Sequence, residues 1–402
     1  MPNRGKFIGN DNLYVPDAPT IGDATAGNAE VSVAFTAPSD VGNDDITAYG
    51  ASVTDGTNVI GATGSSSPVT VTGLTNDTSY TAQVWAINDY GNGPLSAATS
   101  SFTPVAPGIA LFMAGRRGSG NSASAAIDYL QLASGANTSD FGDLNGTFYQ
   151  TTALSSDTRA IIGGGYFNGS AATNAISYTT FSTSGSGSDF GDLTVGRRGL
   201  SSASSSVRGL FAIGRDSGGS KRNYIDYITI ASTGNATDFG DTTTTREFST
   251  HGASNSTRAV FCGGSSSNVM DYVTIASAGN GTDFGNLLDS GGYKSTASNS
   301  TRAIIMGGSE TGNKSDVIQY ITIASTGNAT DFGNLTEARR AGGPVADSTR
   351  AFLGGGYKGD DGATDTIDFV TIASTGNATD FGNLVEIVRD PAGASNSHGG
   401  LS

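Results

Sequence analysis

The sequence predicts an all-β protein, and three observations lead to that prediction. Helix formers are scarce, since charged residues make up 14% of the chain and glycine alone contributes 59 of its 402 residues. Ser, Thr, Asn and Asp fill much of the rest and separate short apolar runs, which is typical of strands joined by turns. From about residue 108 the sequence also repeats itself. A chain of this length fits two or three domains.

The repeat is marked by the tripeptide Asp-Phe-Gly. Its six copies begin at Asp140, Asp189, Asp238, Asp283, Asp331 and Asp380, at intervals of 49, 49, 45, 48 and 49 residues. Each copy follows two strand patterns that are apolar on both faces, as expected where a sheet packs between two others. The period suits one four-stranded propeller blade per repeat, which predicts six blades over residues 107–402.

The order of features within a repeat resembles the kelch motif. Glycine doublets close the first strand and begin at Gly164, Gly263, Gly307 and Gly355. The next strand carries Tyr129, Tyr178, Tyr227, Tyr272, Tyr320 or Phe369, and Arg197, Arg246, Arg339 and Arg389 lie near the late arginine of the motif. The marker phenylalanine stands where that family has tryptophan, which is a departure. The resemblance implies a six-bladed kelch-like β-propeller, in which residues 396–399 lead the chain back to pair with the strand at Ala110.

Residues 18–106 resemble a fibronectin type III domain, which has an immunoglobulin-like sandwich fold. The matching features include Ala18-Pro19, the strand pattern from Val31 to Phe35, and Tyr80, which resembles the tyrosine of the family's tyrosine corner. Phe35 stands where the family usually carries tryptophan. Residues 1–17 fit neither domain and are expected to form an extended N-terminal arm, either a loose terminus or an anchor on a partner.

Charge and hydropathy exclude several partners. The net charge of −15 and the absence of a basic run argue against nucleic acid, and no apolar stretch is long enough for membrane insertion. Residues 1–9 lack the apolar core of a secretory signal peptide. Cys262 is the single cysteine, which excludes an internal disulfide, and its place in an apolar strand predicts a buried structural thiol.

The residues for an enzymatic site are missing. A propeller with a fibronectin-like domain is similar to copper radical oxidases such as galactose oxidase, but His251 and His398 lie in different repeat contexts. The segment from Thr138 to Gly142 partly resembles the aspartate box of sialidases, without an arginine cluster to grip a carboxylate. We therefore expect a non-enzyme with no catalytic residues, no metal and no cofactor. Calcium at the Asp140–Asp143 type of turn is the alternative to plain turn chemistry.

Two sets of repeated polar residues have both structural and functional interpretations. Five arginines precede the same apolar strand, and they form either a basic ring at a channel mouth or bonds to neighbouring turns such as Asp143 or Asp192. They are Arg159, Arg208, Arg258, Arg302 and Arg350. Asparagines in Asn-x-Ser/Thr sequences, for example Asn235, are assigned to turn chemistry in preference to glycosylation.

The function expected from these features is structural display on a virus particle, as a fibre, tail-associated or head-decoration protein of a tailed bacteriophage. Such a protein is made in the host cytoplasm and has its place in the virion. The arm and sandwich would contact other virion proteins, and homo-oligomerisation is left open. A bacterial surface adhesin or carbohydrate-binding protein is the alternative, and a propeller enzyme is a third hypothesis.

The loop after the glycine-ended strand differs most between repeats, so it is the predicted binding surface for a host glycan or protein. The candidate contacts are Tyr166, Phe167, Arg222, Tyr357 and Lys358.

Overall fold

The computed structural model describes residues 14–76, 78–105, 108–133, 137–170, 172–249, 251–310, 312–359 and 362–401. The chain divides into two compact units, Met1–Pro107 and Gly108–Ser402. Antiparallel strands dominate both units, which confirms the predicted all-β class. Residues 1–13 of the predicted N-terminal arm lie outside the described residues. The domain boundaries predicted at residues 17 and 106 stay predictions.

The first unit is a two-sheet sandwich. One sheet has the order β1-β2-β5 and the other the order β4-β3-β6-β7. The strands are β1 Thr20–Ala26, β2 Glu30–Thr36, β3 Ala48–Thr54, β4 Val59–Gly64, β5 Val69–Thr72, β6 Thr81–Asn88 and β7 Gly91–Asn92. Strand β2 alternates strictly, with Val31, Val33 and Phe35 buried, because successive side chains of a strand point to opposite faces.

The core of this unit explains its sequence signals. The backbone N–H of Thr75 donates to the phenolic oxygen of Tyr80 at 3.0 Å, so the tyrosine forms the bond predicted for it. Phe35, in the usual tryptophan position, packs on Tyr49 with ring centroids 4.6 Å apart. Both rings join one apolar cluster built from the two sheets.

The second unit contains six four-stranded arrangements, each built around one Asp-Phe-Gly marker. Their strands are β8 Ile109–Met113, β10 Ser122–Gln131, β11 Ser139–Tyr149, β12 Thr152–Ser155, β13 Arg159–Gly163, β15 Ala175–Thr180, β16 Ser188–Asp192, β18 Ser201–Ser204, β19 Arg208–Ala212, β21 Arg222–Thr229, β22 Thr237–Arg246, β23 Ala253–Ser254, β24 Arg258–Gly264, β25 Ser267–Thr274, β26 Thr282–Asn286, β27 Ser295–Ser298, β28 Arg302–Met306, β31 Val317–Thr322, β32 Thr330–Asn334, β34 Gly343–Ala346, β35 Arg350–Gly354, β37 Gly362–Thr371, β38 Thr379–Arg389 and β39 Ala392–Ser395. Shorter strands are β9 Arg116–Arg117, β14 Tyr166–Phe167, β17 Arg197–Arg198, β20 Arg215–Asp216, β29 Ser309–Glu310, β30 Asn313–Lys314, β33 Arg339–Arg340 and β36 Tyr357–Lys358, and a 3-10 turn spans Gly399–Leu401.

Four repeats form separate sheets, in the orders β12-β13-β15-β16, β18-β19-β21-β22, β23-β24-β25-β26 and β27-β28-β31-β32. The first and sixth repeats are joined, because β9 pairs with both β10 and β38. Strand β39 pairs with β8 and places Ser395 opposite Ala110. The expected pairing of the C-terminal segment with the first repeat is therefore confirmed.

One strand of each repeat lines a common cavity, and we call these six the innermost strands: β12, β18, β23, β27, β34 and β39. Serine hydroxyls connect the innermost strands of neighbouring repeats. Five bonds run from Ser155 to Ser395, Ser204 to Ser155, Ser254 to Ser204, Ser298 to Ser254 and Ser395 to Ala346, each from Oγ to a carbonyl oxygen at 2.6–3.0 Å. A sixth bond, from Ser295 Oγ to the carbonyl of Gly342 at 2.8 Å, links β27 to β34. Each innermost strand is thus bonded to two others.

The five repeated arginines join neighbouring repeats. Arg208 stacks on Tyr227 of its own repeat, 4.7 Å from the ring centroid, and donates to the carbonyl of Ile275 in the next repeat at 3.1 Å. Arg159, Arg258 and Arg302 do the same on Tyr178, Tyr272 and Tyr320, and Arg350 stacks on Phe352 and donates to Leu132. The interpretation as inter-repeat bonds is confirmed, but the acceptors are carbonyls and not Asp143 or Asp192.

The Asp-Phe-Gly marker lies within a strand at a β-bulge and not in the turn predicted for it, and it packs against the next repeat. A Cβ on Gly191 would lie 2.4 Å from the carbonyl oxygen of Gly234, so this position excludes larger residues. Asn235 accepts a bond from the backbone N–H of Asp192 at 3.1 Å. The equivalent asparagines Asn137, Asn280, Asn328 and Asn377 accept equivalent bonds, which explains their recurrence.

Buried ion pairs lie between the second and third, the third and fourth, and the fifth and sixth repeats. Arg197 Nη2 lies 2.6 Å from Asp226 Oδ2, and both side chains are inaccessible to solvent. Arg246 pairs with Asp271, and Arg339 lies 3.2 Å from Asp368, in the same way. The kelch resemblance grouped Arg389 with these arginines. In the sixth repeat, however, the buried position equivalent to Arg197 is occupied by Val388, and Arg389 lies one residue later.

Candidate functional site

Six residues in left-handed backbone conformation occupy one position of the repeat, ten residues after the aspartate of the marker. Their φ angles are between 49° and 62°. Five backbone N–H groups donate to the carbonyl of the preceding member at 2.6–3.1 Å. The members of this left-handed set are Gln150, Gly199, Phe248, Tyr293, Ala341 and Asp390. A left-handed conformation costs a non-glycine residue about 1 kcal/mol, so these bonds hold a strained backbone at the five members other than Gly199.

A row of stacked arginine and aromatic side chains runs beside this set and includes two of its members, Phe248 and Tyr293. Arg116 stacks on Tyr149 at 4.1 Å, and Tyr149 stacks on Tyr166 with centroids 4.2 Å apart. Arg198 lies 5.4 Å from the Tyr166 ring and 5.8 Å from Phe248. The row continues through four more contacts to Arg389, which pairs in register with Arg116. We call Arg116, Tyr149, Tyr166, Arg198, Phe248, Tyr293, Arg340, Tyr357 and Arg389 the arginine–aromatic belt.

The belt is partly accessible and locally basic. All nine side chains are half-buried. Among the described residues, Arg116, Arg198 and Arg340 have no carboxylate within ion-pair distance. Burial raises the pKa of Asp390, and nearby Arg116, Arg340 and Arg389 oppose that shift. A small depression between these groups is lined by Gln150, Leu200, Phe248, Tyr293, Asp390 and Pro391.

The belt contains two of the five predicted contact residues. Tyr166 and Tyr357 belong to it, and Phe167 packs beside it on Phe148 at 4.6 Å. Arg222 Nε donates to Asp216 at 2.7 Å, and Lys358 Nζ lies 3.3 Å from Glu337. All five residues lie in strands and not in the predicted loops, and the structure separates them into stacked aromatic residues and ion-paired basic residues.

Sequence reasoning missed most of the belt. Arg198, Arg340 and Arg389 occupy one repeat position, nine residues after the aspartate of the marker, so an alignment of the repeats could have found them. Phe248 and Tyr293 recur in no other repeat and gave no such signal. Their stacking on each other joins residues from two different repeats.

A narrow cavity of about 50 Å³ lies between the innermost strands. Such a volume holds a few water molecules. Both histidines line it, although their repeat contexts differ. His251 Nε2 accepts from the backbone N–H groups of Ala153 and Gly393 at 3.3 and 3.4 Å. His398 Nε2 donates to the carbonyl of Ser155 at 3.1 Å, and its Nδ1 accepts from Gly400 at 3.0 Å.

Burial keeps both imidazoles neutral. Desolvation lowers the pKa of His251 to about 3 and that of His398 to about 4. Cys262 is buried, and desolvation raises the pKa of its thiol to about 12, which makes a reactive thiolate unfavourable. Within the described ranges, no three His, Cys, Asp or Glu side chains come together as ligands for a metal.

The family of the first unit follows from comparison with known proteins. A family model described as fibronectin type III domain matches residues 17–102. The first unit contains a fibronectin type III domain. No curated protein matches the chain. The fibronectin type III domain supplies none of the belt residues, because all of them lie between residues 116 and 389. Helices long and apolar enough to cross a membrane do not occur in the described part of the chain.

Proposed function

We propose that the second unit is a six-bladed, kelch-like β-propeller. Three observations support this arrangement: four consecutively paired strands in each repeat, serine bonds that give each innermost strand two neighbours, and pairing of β39 with β8. Pairing of the last strand with the first repeat protects sheet edges, as a propeller requires. Deleting residues 380–402 should therefore cause aggregation and a much larger loss of stability than deleting residues 1–15.

We propose further that the protein is a non-enzymatic component of a virus particle, in which it displays the propeller. The observation that carries this proposal is that the side chains that join the repeats recur, whereas those of the loops and the belt vary. Repeated arginines, asparagines and glycines bond one repeat to the next, whereas the loops and the belt differ between repeats. A scaffold with variable loops on one face suits attachment more than catalysis.

The particle assigned by this proposal is a tailed bacteriophage, with the protein as a fibre, tail-associated or decoration component. An acidic chain rich in glycine, with a fibronectin type III domain, is similar to such proteins in composition and modules. The N-terminal arm and the fibronectin type III domain would contact other virion proteins. The propeller loops would contact the host surface.

Mass spectrometry and antibody labelling of gradient-purified particles test this proposal. We expect the protein in the particles at a fixed ratio to the major structural proteins. Recovery from a bacterial envelope fraction without particles would contradict it and favour the adhesin alternative. Turnover of a sugar substrate by the purified protein would favour an enzyme.

Loop replacement tests which surface attaches. Residues 166–174 and 357–366 would be replaced by Gly/Ser linkers of equal length, with the melting temperature as the folding control. We expect incorporation into particles to persist and attachment to the host to weaken. Intact attachment, or loss of incorporation from a folded variant, would contradict the assigned orientation.

A further inference from the structure

The belt orders guanidinium groups by stacking and leaves N–H donors at their edges available for a ligand. Arg340 lies 4.7 Å from the Tyr293 ring and 4.9 Å from the Tyr357 ring, so aromatic rings flank it. Stacking uses the face of a guanidinium and leaves N–H donors at its edge for other acceptors. Arg116 and Arg198 are stacked as well, and Arg198 donates to Gln150 Oε1 at 3.0 Å. These donors are ordered in advance, which lowers the entropy lost on binding.

The aromatic rings themselves are already covered. Tyr149 lies between Arg116 and Tyr166, and Phe248 contacts both Arg198 and Tyr293. A neutral sugar usually needs an open ring face for its apolar side, and these rings are engaged by stacking partners. The groups on this surface that can contact a ligand are therefore the positively charged guanidinium groups.

The charge of the belt contrasts with that of the chain. The whole protein carries a net charge of −15, yet three arginines of the belt, Arg116, Arg340 and Arg389, lie close enough to Asp390 to interact with its carboxylate. Long-range repulsion disfavours a densely charged polyanion such as nucleic acid. A ligand with spaced anionic groups can still reach the arginines, since charges beyond about 8–10 Å are screened at physiological salt.

Hydrogen-bond acceptors in the same surface indicate which other groups the ligand carries. Asp390 and Gln150 line the depression beside the belt, and Tyr293 adds a phenol. Carboxylate and amide oxygens accept bonds from hydroxyl groups, which a fully ionised sulfate ion lacks. A ligand that matches both features carries anionic groups and many hydroxyls.

We infer that the arginine–aromatic belt binds an acidic polysaccharide, with guanidinium groups on its carboxylates or sulfates and Asp390 and Gln150 on its hydroxyls. This inference rests on the proposed attachment role and names the ligand class for it. Arg222 and Lys358 are not required, because each is already paired with a carboxylate, Arg222 with Asp216 and Lys358 with Glu337.

Binding of the full chain to three soluble probes tests the inference. The probes are hyaluronate for spaced carboxylates, chondroitin sulfate for spaced sulfates and unmodified dextran as the neutral control, measured by biolayer interferometry. We expect binding to at least one anionic probe and none to dextran. The affinity should fall about tenfold or more between 50 and 300 mM NaCl, because the contacts are ionic. Absence of binding to both anionic probes, or equal binding to dextran, would overturn the inference.

Paired variants locate the site. Arg116→Gln with Arg340→Gln removes two belt charges and should weaken binding by about tenfold or more, since each charge-assisted bond contributes at least that factor. Arg222→Gln is the matched control, because it removes a charge held by Asp216. Equal weakening in the control would assign binding to the loops and overturn the inference. If the double variant has a lowered melting temperature, Arg198→Lys replaces it in the test. This substitution keeps the positive charge but removes the planar guanidinium group, so unchanged affinity would contradict binding by the belt.

The proposed function fails by a different result. Absence of the protein from purified particles contradicts the virion role, whatever the belt binds. Failure of the binding test leaves the particle measurement unaffected.

Discussion

Two junctions between repeats occupy equivalent places and are built from opposite chemistry. Between the second and third repeats, Arg197 and Asp226 form an ion pair shielded from solvent. Between the first and second repeats, Phe148 stands in place of the arginine and Ser177 in place of the aspartate. Phe148 packs on Phe167, and Ser177 donates to Asn145 Oδ1 at 2.8 Å. The junction requires a filled volume and satisfied polar groups, and it does not require charge.

The first repeat shows a third solution. Val388 occupies the arginine place of the sixth repeat, Asp128 occupies the aspartate place of the first repeat, and both are buried. Arg117, from the same repeat as Asp128, supplies the missing cation, with Nη1 2.8 Å from Asp128 Oδ1. Burial still raises the pKa of Asp128, although Arg117 opposes the shift. In all three junctions the buried aspartate is present only where a buried arginine meets it.

The largest effect is expected from breaking an ion pair on one side. Asp226→Ala leaves the Arg197 guanidinium buried without its carboxylate and removes the partner of Thr194 Oγ1, which donates to Asp226 at 2.6 Å. We expect the free energy of unfolding to fall by about 3–5 kcal/mol. Chemical denaturation followed by fluorescence measures this change.

The matched control is Ser177→Ala at the equivalent place. Because only a neutral hydroxyl is lost, we expect a decrease of about 1 kcal/mol. Equal effects of the two substitutions would contradict the distinction between charged and neutral junctions.

The histidines extend the comparison to buried groups that have no ionic partner. Their folded-state pKa values of about 3 and about 4 lie below the ordinary value of 6.5, so the unfolded chain binds more protons at acid pH. Stability is therefore complete above pH 6.5 and is lost as pH falls toward 4. Between pH 7 and pH 5 we expect a loss of about 2 kcal/mol for each histidine.

Variants of His251 isolate this contribution. His251→Gln should remove about 2 kcal/mol of the acid-induced loss, measured by denaturation at the two pH values. The Asp226→Ala variant should keep the full pH dependence. A His251 variant with the parent's pH profile would show that His251 is protonated in the folded protein or neutral in both states.

The smallest effect is expected from exchanging one junction for the other. The double substitution Arg197→Phe with Asp226→Ser transplants the neutral pair into the charged junction. We expect its stability to lie within about 1.5 kcal/mol of the parent, far above either single variant. A double-mutant cycle measures the coupling, and a double variant as unstable as Asp226→Ala would show that the charged junction depends on its ion pair.

Local sequence patterns predicted much of the fold. The tyrosine corner at Tyr80, the return of the C-terminal segment to β8 and the burial of Cys262 all follow from residues within one repeat or one domain. The candidate site was predicted only in part, since Tyr166 and Tyr357 lie in the belt whereas Arg222 and Lys358 are held in ion pairs. A pattern within one repeat does not show which side chain of another repeat will lie beside it.

By itself, the sequence determined the all-β class, the six-fold repeat and the type of residue at each repeated position, because strand alternation and turn chemistry act over a few neighbouring residues. Only the tertiary structure decided that Arg208 bonds a carbonyl of the next repeat, that His251 and His398 share one cavity, and that Phe248 meets Tyr293. These contacts join positions about 40 to 150 residues apart along the chain, so they depend on how the sheets pack together and on the backbone groups that packing brings within hydrogen-bond reach.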